Sequence, residues 1–457
     1  MSNKYHSTIS RRSFMKALGL GAAGAATLSA AAPVFSDLDD LVSSNAKVDK
    51  PWWVKEKDFN TITTPIDWNV FNYYDSATEA PGQATVPGYD VRDAANAQLT
   101  KLREASKPGF TIRDRALSGS TAMSPVSVAR VSAIDDKKKW NVSPEDNFAT
   151  LKAALHYFGS TNVGAMVIDD KNKKLFSKGT TFAADDGAGS NSNLPASCKY
   201  IIAWTIQQSY SQKRLELINK ENDEHKSGIP TDLGRISVTR AYDDVNHSEY
   251  MMIRFMSALG WQTFLNPTNI VIPFGIFAGL GEQARSTHIM TPQSGICQRK
   301  VSYVVTDMPL APRKPVDFGG TKFCETCRRC AERCPSEAMG DESYKKPSYD
   351  LINGGRKGFA GWKIDWGKCI GAGAPSNCGS CHGLCPFNHQ SEALIHPFVR
   401  ITAATTPIFN KFFGIGDRFM SYAKPNTDKV LEDWWYRDYT SYKGDTIYGA
   451  GTYKWNF

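Results

Sequence analysis

The sequence has no apolar run long enough to cross a bilayer. The longest that matters, Ile270 to Leu280, is about half of what a spanning helix needs, which excludes a multi-span membrane protein. A long lysine or arginine run is also missing. Residues 1–32 contain Lys4, Arg11, Arg12 and Lys16 and no acid, so the net charge of +8 drops to +4 without them, 50 bases against 46 acids. That modest excess indicates no nucleic-acid partner. Repeats are absent beyond two cysteine runs, and cysteine is sparse outside one window, with eight of the ten between 324 and 385. A hydrophobic share of 41% and a charged share of 22% exclude disorder as the main state. At about 150 residues per domain, 457 residues hold two to four domains.

What is present begins with an address. Ser10-Arg11-Arg12-Ser13-Phe14-Met15-Lys16 reads as a twin-arginine signal, and an Ala/Gly-rich stretch to Ala32 supplies small residues for cleavage. That route exports folded proteins. It implies a destination beyond the cytoplasmic membrane and a cofactor loaded beforehand.

The cysteines carry the strongest signal. An exported protein permits disulfides, but the spacing argues for metal. Cys324, Cys327, Cys330 and Cys334, then Pro335, read CxxCxxCxxxCP, the bacterial ferredoxin run. Cys378, Cys381 and Cys385, then Pro386, repeat its second half, with Cys369 upstream. Three thiolates on a tight turn cap one cube, and the Cys before Pro serves the neighbouring cube. Hence Cys324, Cys327, Cys330 and Cys385 are expected to hold one 4Fe–4S cluster, and Cys334, Cys369, Cys378 and Cys381 the other.

Two competing motifs are set aside. Cys378-Gly-Ser-Cys381-His382 matches a haem attachment pattern, but haem would strip one cluster of two ligands. His382 is expected at the surface beside a cluster. Asp223-Glu224-His225-Lys226-Ser227-Gly228 matches the DxHxxG pattern of cobalamin-ligating proteins, yet lacks its following elements and reads as a solvated loop. Cys198 and Cys297 are expected to be buried free thiols.

Along the chain, residues 33–142 form an N-terminal wrapping region rich in aromatics such as Trp52, Trp68, Phe71 and Tyr73, with a helix over 92–106. A second helix starts at Ser143-Pro144, places Phe148, Leu151, Leu155 and Phe158 on one face, and stops at Gly159. Val163–Ile168 and Tyr200–Ile206 are strand candidates. A polar hinge covers 219–232, and a helix is expected over 247–259, ended by Gly260. Gly279 and Gly281 in the apolar run permit close approach to something flat. The expected units are a signal at 1–32, the wrapping region, a catalytic domain at 143–312, a two-cluster ferredoxin-like domain at 313–395 and a C-terminal extension at 396–457, folded over the body.

The whole chain resembles the corrinoid-dependent reductive dehalogenases of organohalide respiration. The likeness rests on the signal, the two cysteine runs and the segments Ala278-Gly279-Leu280-Gly281-Glu282, Thr306-Asp307-Met308-Pro309-Leu310 and Phe323-Cys324-Glu325-Thr326-Cys327. Within the family it is most similar to enzymes acting on small chlorinated alkanes such as chloroform. The resemblance implies an α+β fold, with a nitroreductase-like corrinoid-binding domain joined to a bacterial ferredoxin-like two-cluster domain. It implies a corrinoid without a protein axial ligand, with Gly279 and Gly281 in its vicinity. By position it carries over Tyr242 as proton donor, Arg299 as its support, and Asn269, with Asn266 as the alternative.

The chemistry suits these types. Replacing halogen by hydrogen needs two electrons and one proton; a neutral phenol holds that proton, and a guanidinium stabilises the phenolate left behind. The expected partners are a small halogenated hydrocarbon, a small membrane anchor protein, a quinone-linked donor chain and the twin-arginine translocase. The enzyme would sit peripherally on the outer face of the cytoplasmic membrane. The alternatives are a ferredoxin-like electron-transfer subunit without corrinoid, or an enzyme like epoxyqueuosine reductase.

Overall fold

The structure, a computed structural model, describes residues 50–75, 79, 91–119, 132–133, 139–216, 230–268, 270–334, 336–339, 347–349, 356–362, 364–373, 378–388, 395–419 and 426–436. The signal segment, Asn269 and the 223–228 motif lie outside them. No helix among the described residues is long and apolar enough to cross a membrane.

An antiparallel sheet organises the centre, in the order β1 (Asn162–Val167), β2 (Tyr200–Gln207), β4 (Gln298–Thr306) and β3 (Phe264–Leu265). Its strands read as apolar on both faces because both are covered. Ile201 and Ala203 point into a core shared with Phe274, Phe277 and Tyr303. Ile202, Trp204 and Ile206 point the other way, into a core with helices α1 (Pro144–Tyr157) and α2 (Asp232–Ala258). The alternation is the period-2 pattern of a strand. Helix α1 has the expected cap: the Ser143 hydroxyl accepts from the Asp146 N–H.

Helix α2 differs from the expectation. It begins about four turns earlier than 247, where the Thr231 hydroxyl accepts from the Gly234 N–H. Most of the expected hinge, 219–229, lies outside the described residues, and its last residue, Asp232, together with polar residues further along the helix, is buried with partners. Asp232 takes a two-pronged hydrogen bond from Arg103, at 2.9 and 2.6 Å, fixing helix Val91–Glu104 to the new helix start. Arg240 pairs with Asp244 one turn on, at 2.8 Å. The apolar run at 270–280 forms only a short helix, α3 (Ile272–Phe277), which ends as Gly279 turns to φ +82°.

The wrapping segment belongs to the core. Lys55–Glu56 pairs with Val316–Asp317, and Ile66 bridges to Phe359. Phe71 is buried in the core, and Trp68 packs edge-on against Phe71 and Phe277. Trp52 is exposed. At the other end, helices Ile395–Thr405 and Asn410–Phe419 lie over helix α4 (Gly320–Cys327). Cysteines 198 and 297 are buried and outside any disulfide.

Burial pushes the Asp244 carboxyl up to about 7, with Asp243 adding to the rise and Arg240 opposing it. A carboxyl whose folded pKa is raised holds its proton more tightly when folded, so stability is lost as pH rises from about 4 towards 7. Asp244→Asn is therefore expected to gain melting temperature relative to the parent between pH 5 and pH 8, in paired thermal melts.

Candidate functional site

Helix α2 presents Tyr242 at its middle, held on both sides by its long run of turns. Arg299 comes from β4. Its guanidinium carbon lies 4.9 Å from the centre of the Tyr242 ring. Local strand geometry sets that aim. Thr205 pairs with Val301 but Ile206 pairs with Arg299, so Lys300 is an extra residue, at φ +51°. A bulge of this kind redirects the neighbouring side chain. The Lys300 ammonium is held in turn by Glu249, at 2.7 Å. The same Glu249 oxygen accepts from Asn266 at 2.8 Å and Ser302 at 2.6 Å. Glu249 is seven residues, about two turns, beyond Tyr242, so one carboxylate locks donor helix, bulge and loop together.

Asn266 is absorbed in that lock. Its side-chain oxygen accepts from the Tyr303 N–H at 2.9 Å while its amide feeds Glu249, and its own backbone is left-handed, at φ +44°. This is a loop-capping geometry. Asn269 lies outside the described residues. At Gly279 and Gly281 the close neighbour is backbone. A Cβ at Gly279 would meet the Lys314 carbonyl at 2.5 Å, and one at Gly281 the Met290 carbonyl at 2.0 Å. Both spare the chain's own backbone.

The eight cysteines gather at one side of this site. Cys385 feels the charges of Cys324, Cys327 and Cys330. Cys369 feels Cys378 and Cys334, and Cys381 feels Cys378, Cys330, Cys369 and Cys334. The two last cysteines thus cross over, each toward the other run. Burial pushes the thiols up, Cys324 and Cys378 to about 11 and Cys330 and Cys369 to about 12. Holding several such sulfurs as thiolates takes cations, which the irons of two clusters supply.

His382 is not at the surface. It is 2% exposed, with its ring edge-on to His288 at 4.2 Å and its Nδ1 within 3.1 Å of the Gln208 amide. Burial and the nearby Arg299 keep both imidazoles neutral, His288 at about 4. Beside them Lys213 and Glu216, both fully buried, pair at 2.6 Å, and Glu216 accepts from the Gly379 N–H at 2.9 Å. The pair is local, its members three residues apart at the end of helix Tyr210–Arg214, and the cluster loop joins it through Gly379.

Several buried polar atoms have no hydrogen-bond partner among the described residues, Arg299 Nε and the Gln207 amide nitrogen on neighbouring strands and the Gln208 and Gln293 amide oxygens. This mixture of donors and acceptors fits the amide-rimmed edge of a corrinoid. The arrangement therefore combines a phenol beside a guanidinium, polar groups for a large macrocycle, and thiols for two clusters.

A family of 4Fe-4S double cluster binding domains matches residues 323–388. The chloroethene reductive dehalogenase of Dehalococcoides mccartyi (strain VS) is 29% identical, across 95% of this chain and 97% of its own length. The trichloroethene reductive dehalogenase of another strain of that organism is 28% identical, across 95% and 98%. A solved reductive dehalogenase, whose structure suggests a mechanism for B12-dependent dehalogenation, superposes with a TM-score of 0.56 at 17% identity. That match covers 86% of this chain and 53% of the other, so the chain spans about half that structure's length and shares its fold.

Substituting Cys385 by Ser is expected to empty the cluster of the first run, 324–330, rather than that of its sequence neighbours. Iron would fall from about eight to about four per chain, and Cys334→Ser would cost the other cluster. Iron analysis with electron paramagnetic resonance checks which signal is lost.

Proposed function

We infer that this chain, which belongs to the corrinoid- and iron–sulfur-dependent reductive dehalogenases, uses Tyr242 and Arg299 to replace a halogen by hydrogen on small chlorinated hydrocarbons. The observation that carries the reading is the Arg299 guanidinium over the Tyr242 ring, with His382, which feels Arg299, within 4.8 Å of Cys381. In this reading residues 143–312 house the corrinoid and 313–395 the clusters. When bound, the corrinoid supplies a reduced cobalt centre for the carbon–halogen bond, fed by the two clusters. The overall change consumes the organohalide, two electrons and one proton, and yields the hydrocarbon and halide.

The chain's part is proton delivery and order. Tyr242 holds the proton on its phenol oxygen until carbon accepts it. Arg299 stabilises the phenolate that remains. Glu249, through Lys300, keeps Arg299 aimed. Gln207, Gln208 and Gln293 would hold the macrocycle's rim. Neutral His288 and His382 add no further positive charge beside Arg299.

The finer assignments follow from the resemblance. Chlorinated alkanes are the proposed substrates, on the likeness to chloroalkane enzymes within the family. The twin-arginine segment supports export to the outer face of the cytoplasmic membrane, with a small anchor protein and a quinone-linked chain as electron source. A comparison of chloroform and 1,1,1-trichloroethane with trichloroethene, under reductant, separates the substrate classes. Higher kcat/KM on the alkanes is expected; turnover of the ethene alone would overturn the alkane assignment.

Tyr242→Phe is expected to lower kcat by about 10²- to 10⁴-fold, the usual worth of a general acid, with cobalt and iron contents retained. Full turnover by that variant would remove Tyr242 from the mechanism.

A further inference from the structure

The two groups of cysteines sit in different electrostatic surroundings. Arg285, 2% exposed, donates through Nε and Nη2 to the Cys324 carbonyl, at 3.1 and 2.9 Å. Its guanidinium lies 4.4 Å from the centre of the Trp362 ring, and its charge acts on Cys330, Cys324 and Cys327. Arg400 donates to the carbonyls of Pro292, Gln293 and Phe387 and sits beside Cys385, the fourth thiol of that group. A third guanidinium, Arg329, is balanced by Asp417 at 3.1 Å. The carboxylates Glu282 and Glu325 also act on Cys324, with a smaller effect than Arg285, whereas around the other group the charged side chains acting on Cys378 and Cys369 are the acids Glu216 and Asp365, with Glu216 balanced by Lys213.

We propose that Arg285 raises the reduction potential of the cluster held by Cys324, Cys327, Cys330 and Cys385 above that of its neighbour, so that the first electron from the donor comes to rest there. One-electron reduction adds one negative charge to the cluster and breaks no bond. A fixed cation close by, in an interior that screens poorly, favours the reduced state. Arg285 suits the task because a guanidinium stays charged when buried. Its plane is held by the Trp362 face and the Cys324 carbonyl, so it is in place before the electron arrives. Arg285 touches the ligand backbone and not the substrate; it is a positioning residue for charge.

The inference rests on the two-cluster reading, and iron content tests that reading separately. The experiment is a redox titration of the anaerobic holoenzyme, followed by electron paramagnetic resonance, for the parent, Arg285→Gln and Arg285→Lys. About eight irons per chain in the parent upholds two clusters; about four would overturn that reading. For Arg285→Gln at full iron, one midpoint is expected to fall by at least the equivalent of a tenfold change in the one-electron equilibrium, 59 mV, with the other unmoved. Arg285→Lys, which keeps the charge, is expected to keep the parent midpoints. A merely structural role would change iron content and leave both midpoints in place. Unchanged midpoints at full iron, or an equal fall of both, would overturn the proposal. Should Arg285→Gln lose iron, Arg400→Gln at full iron is titrated instead; a fall in one midpoint supports the assignment and no fall overturns it.

Discussion

One buried carboxylate joins the two halves of the machine. Glu282 accepts hydrogen bonds from the backbone N–H groups of Phe318, Gly320 and Thr321, at 2.6, 3.1 and 3.0 Å. These groups open α4, the helix that carries Cys324 and Cys327, and an anion at a helix start satisfies donors that nothing else reaches. Glu282 itself begins the short strand after the Gly279–Gly281 turn, on the catalytic side. The position of the first cluster is therefore set from the central sheet, through one side chain and a turn too tight for a Cβ. The neighbouring Gln283 extends the same seam, accepting from the Trp362 N–H at 2.8 Å, and Trp362 in turn supports Arg285.

A second seam runs through Glu249. It gathers Asn266, Lys300 and Ser302 on one oxygen and so couples the donor helix to a bulged strand. Such buried hubs matter most when every member is satisfied. Here the donors come from two segments, the loop at Asn266 and the strand that carries Lys300 and Ser302, and the acceptor from a third, which explains how Tyr242 and Arg299 meet although 57 residues part them in the sequence.

How much of this was legible follows from how local each signal is. The cysteine grouping is written in spacing, because a cube is ligated by one tight turn plus one distant thiol. The α1 boundaries are written in Ser143, Pro144 and Gly159, since caps act over a few residues. The first half of α2 was not legible: Asp232, Arg240 and Asp244 look solvated until their partners are known, and Arg103 lies over a hundred residues away. His382 was read as a surface residue because the chain gives no hint that His288 packs on it. Arg285 has its partners, Cys324 and Trp362, far along the chain, and although Lys213 and Glu216 are three residues apart, their burial comes from the distant cluster loop. The Asn266 geometry depends on Glu249, which no motif marks. Glycines 279 and 281 do mark a close approach, and the partner is backbone.

The donor's place on α2 has a consequence for the product. A phenol in mid-helix, two turns from an anchored carboxylate, swings only through the narrow arc its own side-chain torsions permit. It cannot follow a tumbling substrate fragment. With Tyr242 as the proposed donor, the proton would reach carbon from one direction, and at a prochiral centre the chain would dictate the handedness of the new carbon–hydrogen bond.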